Sequence, residues 1–181
     1  STIRDAVFAG RSVDIVNRHS VRVHMANIAQ TVNVLQAMVL TEGPKMVLTP
    51  TYHVFDMYKV HKDATLLPLR LECDRLTRDG FELPRLSASA SKDGTGKVHL
   101  SLCNLSAEEG VKVEVELRGS AERGDTPAPA VGSILSAPKM DSRNDFDRPN
   151  EVAPVDYEAK VEGGKLVAIM PPMSVAVLEI K

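Results

Sequence analysis

The 181-residue sequence predicts a mainly β protein, a jelly-roll or related β-sandwich preceded by a helix–strand–helix segment. Three observations carry that expectation. Residues 1–62 read with helical spacing around one apolar run, whereas residues 63–181 break into short apolar runs separated by turn residues. Within the second part, Val111-Lys112-Val113-Glu114-Val115-Glu116-Leu117 alternates strictly, as a strand does with one face buried and one wet. Gly163-Gly164 and Pro171-Pro172 punctuate the last three runs, the first pair as a hairpin turn, the second as a break that no central strand tolerates.

The elements follow in order. Ile3, Val7, Phe8, Val13, Ile15 and Val16 lie along a loose helical stripe, with Thr2 placed to cap it and Asp5 suited to its first turn. His19-Ser20 ends it, and Val21 to Ala29 reads as a strand buried at one end. Val32 to Leu40 is apolar and open between helix and strand; Thr41-Glu42-Gly43-Pro44 is a break. Pro50 opens a second helix with Thr49 as its cap, and Val54, Phe55, Tyr58 and His61 follow at helical spacing. Strands are expected at 66–71, 86–91, 98–103, 111–117, 157–161, 165–170 and 174–180, with a hairpin loop at 92–97 and a charged, Pro-rich loop at 120–130. A lone helix, strand and helix form a piece of a βα repeat rather than a closed core. The first part therefore belongs to a larger α/β domain, or leans on the β part or on another copy of the chain.

Composition excludes several functions. The net charge is −2, from 22 basic and 24 acidic residues, so no broad positive field exists to hold nucleic acid or an anionic membrane. No 18-residue apolar run is present to span a bilayer, and the opening STIRDAVFAG lacks a signal-peptide pattern. With no Trp, three Tyr and four Phe, a stacking platform has little to build with.

Candidate chemical groups are few. Five histidines include His53 and His61, eight apart on one helix face, yet no third ligand joins them for zinc. Cys73 and Cys103 are read as free thiols, with a disulfide as the rarer outcome. Asp93-Gly94-Thr95-Gly96-Lys97 lacks Walker spacing and reads as a hairpin turn. Glu108-Glu109 reads as a solvated corner. Asp141, Asp145, Asp147 and Glu151, interleaved with Arg143 and Arg148, read as a loop of surface ion pairs rather than a calcium site. No cofactor or metal is expected.

Four stretches carry a resemblance: 25–35 (MANIAQTVNVL), 48–58 (LTPTYHVFDMY), 144–154 (NDFDRPNEVAP) and 170–178 (MPPMSVAVL). In this order they resemble the α-L-arabinofuranosidases of glycoside hydrolase family 51. The resemblance implies a (β/α)8 barrel followed by a jelly-roll sandwich, of which this chain is the C-terminal part. Residues 1–19 become a late barrel helix, 21–29 the eighth barrel strand and 50–62 the last barrel helix. That makes 1–62 a barrel remnant and 63–181 the sandwich.

The family's retaining mechanism needs two carboxyl groups about 5–5.5 Å apart. Both lie on barrel strands before this segment, and no glutamate precedes Glu42, so no catalytic residue is assigned here. One binding residue is: Gln30 matches the glutamine at the C-terminal end of the last barrel strand, which hydrogen-bonds the arabinofuranose. Its amide offers a donor and an acceptor to sugar hydroxyls, at the barrel face where such sites lie. The resemblance further implies an arabinofuranosyl glycan as substrate, as in arabinan or arabinoxylan, and a cytoplasmic location, although secreted members exist; the apolar flank left by the absent barrel favours a homo-oligomer. The isolated chain is expected to be inactive and structural. The competing expectation is a stand-alone carbohydrate-binding sandwich, disfavoured because only Phe81, Phe146 and Tyr157 supply aromatic rings to it.

Overall fold

The structure, a computed structural model, describes residues 1–28, 31–118 and 128–180. Helix α1 spans Ile3–Arg18, and Thr2 and Asp5 form a reciprocal capping box at its start. A hairpin follows, β1 (Val39–Glu42) paired with β2 (Lys45–Leu48). Helix α2 spans Pro50–Tyr58, with Pro50 in its first turn and the Thr49 hydroxyl accepting the Tyr52 N–H. A 3₁₀ turn at Lys59–His61 ends it, and Asp63, at φ +57°, redirects the chain.

The remaining strands are β3 (Thr65–Leu66), β4 (Arg75–Arg78), β5 (Phe81–Pro84), β6 (Leu86–Lys92), β7 (Val98–Asn104), β8 (Val111–Val115), β9 (Ala130–Leu135), β10 (Val155–Glu162), β11 (Lys165–Met170) and β12 (Ser174–Ile180). Eight of them form one curled antiparallel sheet in the order β3-β6-β7-β12-β9-β10-β11-β8, while β4 and β5 make a separate hairpin. Strand β10 produces the curl. Its first five residues pair with β9 and its last three with β11, so β11 and β8 fold back over the rest. The mainly β expectation holds.

The period of two sorts each strand of the larger layer into two faces. Leu86 and Ala88 of β6, Leu100 and Leu102 of β7, and Ala176, Leu178 and Ile180 of β12 meet Val113, Leu166, Ala168 and Met170 from the folded-back strands. The opposite face offers Cys103, Leu135, Val175 and Val177 to Ile3, Ala6 and Val7 of α1 and to Val54, Met57 and Tyr58 of α2. Both helices thus lie on the outside of the sandwich, and the sheet is covered on both sides. Two glycines permit close approach. A Cβ at Gly10 would sit 2.8 Å from Cys103 Sγ, and one at Gly132 would run into the Val177 carbonyl oxygen.

Several sequence expectations need correction. Residues 23–28 form no strand, because no neighbouring backbone takes their N–H and C=O groups into a ladder; the β-structure between the two helices is the β1–β2 hairpin instead. Gly43-Pro44 is therefore the turn of that hairpin, with Glu42 opposite Lys45, rather than a simple break. The strand expected at 66–71 stops at Leu66, and Pro68, which has no N–H, follows closely. Strand β9 and the β4–β5 hairpin were not expected. The Pro-rich loop at 120–130 lies mostly outside the described residues, and its end, Ala130, already belongs to β9.

Candidate functional site

Gln30, the one binding residue the sequence assigns, lies outside the described residues, as does Ala29. The segment that follows it is well defined. The Thr31 carbonyl accepts from the N–H groups of Met38 and Val39, closing residues 31–39 into a compact loop. Asn33, at φ +52°, grips Thr41 of β1 with its side chain. From the other side Thr49 donates its hydroxyl to the Ala37 carbonyl and its N–H to the Met38 carbonyl. Fully buried, Thr49 thus joins the loop to the start of α2.

A strap from the sandwich reaches the same place. Asn144, almost fully buried, donates to the carbonyls of Leu48 and Val152 and accepts the Val152 N–H. The Ile3 N–H donates to the Ser142 carbonyl, so this strap also holds the start of α1. The charged residues of the strap behave as expected: Arg148 pairs with Asp145 and Glu151 at the surface. Among the described residues no group of three or more His, Cys, Asp or Glu gathers as a metal would require.

The strongest buried polar cluster lies between α1, α2 and the sheet. Asp14 is fully buried on the sheet-facing stripe of α1. Its Oδ1 accepts from Ser101 (2.7 Å), Ser89 (3.0 Å) and Tyr58 (3.1 Å), and Cys103 lies 3.6 Å from Oδ2. The alternation of β6 makes this possible. Leu86, Ala88 and Ala90 face the sandwich core, and Ser87, Ser89 and Ser91 face the helices. Burial raises the Asp14 pKa above the usual carboxylate range; the hydroxyl donors oppose this and do not overcome it. Burial likewise pushes the Tyr58 phenol and the Cys103 thiol well up, with the Asp14 charge next in importance for both. A Cys103 held as a buried thiol is a poor nucleophile. The cluster is a sealed structural joint, closed to solvent and substrate. The sequence reading missed it, although Ile3, Val7, Gly10 and Asp14 recur at the spacing of one helix face.

The remaining candidates fall in separate places. His61 Nδ1 lies 2.7 Å from Ser91 Oγ, and desolvation lowers its pKa to about 4, with His99 adding to the effect. His53 is lowered by desolvation too. Asp93 caps its own hairpin turn through Thr95 and Lys97 and faces His99 across 3.0 Å, which holds its carboxyl well below the usual range. Cys73 and Cys103 are both free. Glu109 pairs with Arg85 at the corner. No described helix is long and apolar enough to cross a membrane.

The family described as the α-L-arabinofuranosidase C-terminal domain matches residues 1–174. The chain belongs to that family. A curated relative from Bacteroides ovatus, named an intracellular exo-α-L-arabinofuranosidase, is 45% identical over 184 residues, covering all of this arabinofuranosidase C-terminal domain chain and 35% of the relative. The crystal structure of the GH51 arabinofuranosidase from Xanthomonas axonopodis pv. citri superposes with a TM-score of 0.91 at 43% identity, covering 100% of this chain and 36% of that one. The thermostable GH51 α-L-arabinofuranosidase from Thermotoga petrophila gives 0.85 at 25% identity, covering 100% and 39%. The domain spans about a third of the length of these relatives.

Proposed function

We propose that the chain is the C-terminal portion of a retaining α-L-arabinofuranosidase that removes terminal arabinofuranosyl residues from arabinan- or arabinoxylan-type glycans. Residues 1–62 are then the end of the catalytic barrel and 63–181 its sandwich. The observation that carries this reading is the segment following α1. Val21 (90% exposed), Met25, Leu35 (93%) and Met46 present apolar side chains to solvent along a stretch with no ladder partner for residues 23–28. Large apolar side chains exposed one after another along a segment call for cover. The missing two thirds of the enzyme, present in the relatives, supply it.

In this role the segment sets Gln30 beside the sugar, where its amide donates to one hydroxyl and accepts from another. The two reacting carboxyl groups come from the rest of the enzyme, so the isolated chain neither hydrolyses nor holds substrate. The sandwich acts as a scaffold, holding α1 and α2 from behind through the Asp14 cluster and the Asn144 strap. The full-length enzyme works in the cytoplasm, in keeping with the name of the Bacteroides ovatus relative, and assembles from several copies.

Calorimetric titration of the chain with arabino-oligosaccharides and arabinan, alongside an assay on an aryl α-L-arabinofuranoside, tests this reading. The expected result is no saturating heat and no hydrolysis. Saturating heat would instead make the chain a binding module in its own right, and Phe81, 77% exposed on the β4–β5 hairpin, would be the first aromatic to mutate. Hydrolysis would overturn the assignment of the carboxylates to the rest of the enzyme.

A further inference from the structure

We propose that the β4–β5 hairpin is an anchor through which two copies of the enzyme associate. The inference rests on the reading above that the enzyme assembles from several copies, and it names the surface and the side chains. Among the described residues of 63–181, β4 and β5 alone stand outside the eight-stranded sheet, as a two-stranded sheet of their own. A lone hairpin of this size is marginal in water unless something packs on it. The register pairs Leu76 with Leu83 and Arg78 with Phe81, and the period of two sets these four side chains on one face. Thr77 and Glu82 take the other face with Arg75, whose guanidinium pairs with Glu82 at 2.9 Å. The first face is uncovered. Phe81 is 77% exposed and Leu83 45%, and none of Leu76, Phe81 and Leu83 is among the described residues packed in or against either core. The Arg78 head is nearly free, since its exposed contact with Asp79 is 3.8 Å long.

The base of the hairpin is fixed. The Arg85 N–H donates to the Asp74 carbonyl, and the Arg85 guanidinium bridges Asp74 at 3.0 Å and Glu109 at 2.6 Å. A face held out on a fixed base loses little freedom on binding. Position and complementarity both point to a second copy as the occupant. Leu69, Leu71 and Cys73 lead into the hairpin and pack on the sandwich core, and no residue from 67 to 85 enters the cluster beneath α1 and α2. On the reading above, the rest of the enzyme joins on the helix side, so it does not account for this face. A twofold axis along the hairpin lays β4 of one copy on β5 of the other. Leu76 then meets the partner's Leu83, and the Arg78 guanidinium meets the partner's Phe81 ring, a cation over a π-face, twice by symmetry. No like charges face each other in that arrangement. Four side chains cover less than the ~800 Å² that each partner gives to a standard interface, so the hairpin anchors a larger contact; aromatic and arginine side chains carry most of the energy in such anchors.

Sedimentation velocity of the full-length enzyme over a range of concentrations tests this, with Phe81→Ser, Arg78→Ala, Phe81→Tyr and Glu82→Gln. Phe81→Ser should dissociate at concentrations about tenfold higher than wild type, and Arg78→Ala at concentrations about threefold higher. Phe81→Tyr keeps the ring and Glu82→Gln lies on the opposite face, so both should associate as wild type does. Hydrolysis of an aryl α-L-arabinofuranoside at the wild-type rate per chain reports that the variants are folded. Arg78→Ala, at a side chain 87% exposed, keeps the test decisive should Phe81→Ser fail to fold. Wild-type association in the folded Phe81→Ser and Arg78→Ala variants, or an equal loss in Glu82→Gln, would overturn the role of the hairpin and leave the assembly reading standing. A wild-type enzyme that stays a single chain at every concentration would overturn the assembly reading, and this inference with it.

Discussion

His61 makes the chain lose stability in mild acid, and the loss can be worked from its surroundings. The imidazole closes the 3₁₀ turn after α2, with Nδ1 on the Ser91 hydroxyl, its ring 5.6 Å from the Tyr58 ring, and His99 nearby. Its Nε2 is buried without a partner. A protonated ring would bring a charge and an unmet donor into that space, so the folded chain takes the proton only at about 4, against 6.5 in the unfolded chain. A base whose folded pKa is lowered contributes stability above pH 6.5 that is lost as pH falls toward 4. Each tenfold difference in proton affinity is worth about 1.4 kcal/mol, so the loss between pH 7.5 and 4.5 is about 2.5 kcal/mol. The perturbation is His61→Asn, whose amide reaches the Nδ1 position and keeps the Ser91 contact without titrating. Urea unfolding from pH 7.5 to 4.5 provides the assay. His53, lowered by desolvation, adds a share of the same sign, and Asp14 opposes both. The difference in slope between wild type and His61→Asn isolates His61 from both. Parallel slopes would refute the reasoning, because the imidazole would then be gaining its proton equally well in the folded chain.

Asp14→Asn should be at least as stable as wild type at pH 8 and should flatten the fall in stability that begins above about pH 3.8. The raised folded pKa means that the unfolded chain ionises first, and unfolding curves across pH 4–8 read this directly. Asp14→Ala should instead cost about 2–4 kcal/mol, since Ser89, Ser101 and Tyr58 lose their common acceptor. Thr49→Val removes both the cap on Tyr52 and the bond to Ala37, and should lower stability by about 1–3 kcal/mol in thermal melts. Gly132→Ala should abolish soluble expression or cost several kcal/mol. Its Cβ would meet the Val177 carbonyl oxygen and sit 2.9 Å from Leu178 Cα, both in the backbone of β12 where nothing can yield locally.

The sandwich was legible where one period governed the chain. Strands β6, β7, β8, β11 and β12 each alternate or run apolar between clear turn residues, and the sequence placed all five. Strand β9 was not legible. Gly132 interrupts its pattern, and the reason is tertiary: the β12 backbone lies where a side chain would stand. The β4–β5 hairpin did carry a signal, since Asp79-Gly80 is a favoured two-residue turn and both residues have positive φ. Its strands hide because most of their residues are polar and exposed. The segment 21–28 departs from its expected strand for another reason. Its apolar pattern describes a strand buried among neighbours, and within residues 21–28 no neighbour pairs with it.

The candidate site divides in the same way. Gln30 came from motif resemblance, and no local pattern could have singled it out. The residues that hold the segment 31–48 are local in sequence at one end and distant at the other. Asn33 and Thr41 lie eight apart, while Asn144 reaches Leu48 across 96 positions. A single sequence cannot reveal the second kind of partner, because an asparagine in a charged loop looks the same whether it faces water or a buried carbonyl. The buried Asp14 was closer to legibility. An acid at the end of an apolar helical stripe needs donors, and the serines of Leu86-Ser87-Ala88-Ser89-Ala90-Ser91 are donors on a single strand face. A carboxylate in want of hydroxyls and a strand face rich in them point to each other. That pairing sets α1 against the sheet, and through Ser142 and Asn144 the same sheet holds the start of α1 and the end of β2. The sandwich thereby holds in place the two elements that flank the segment between α1 and β2.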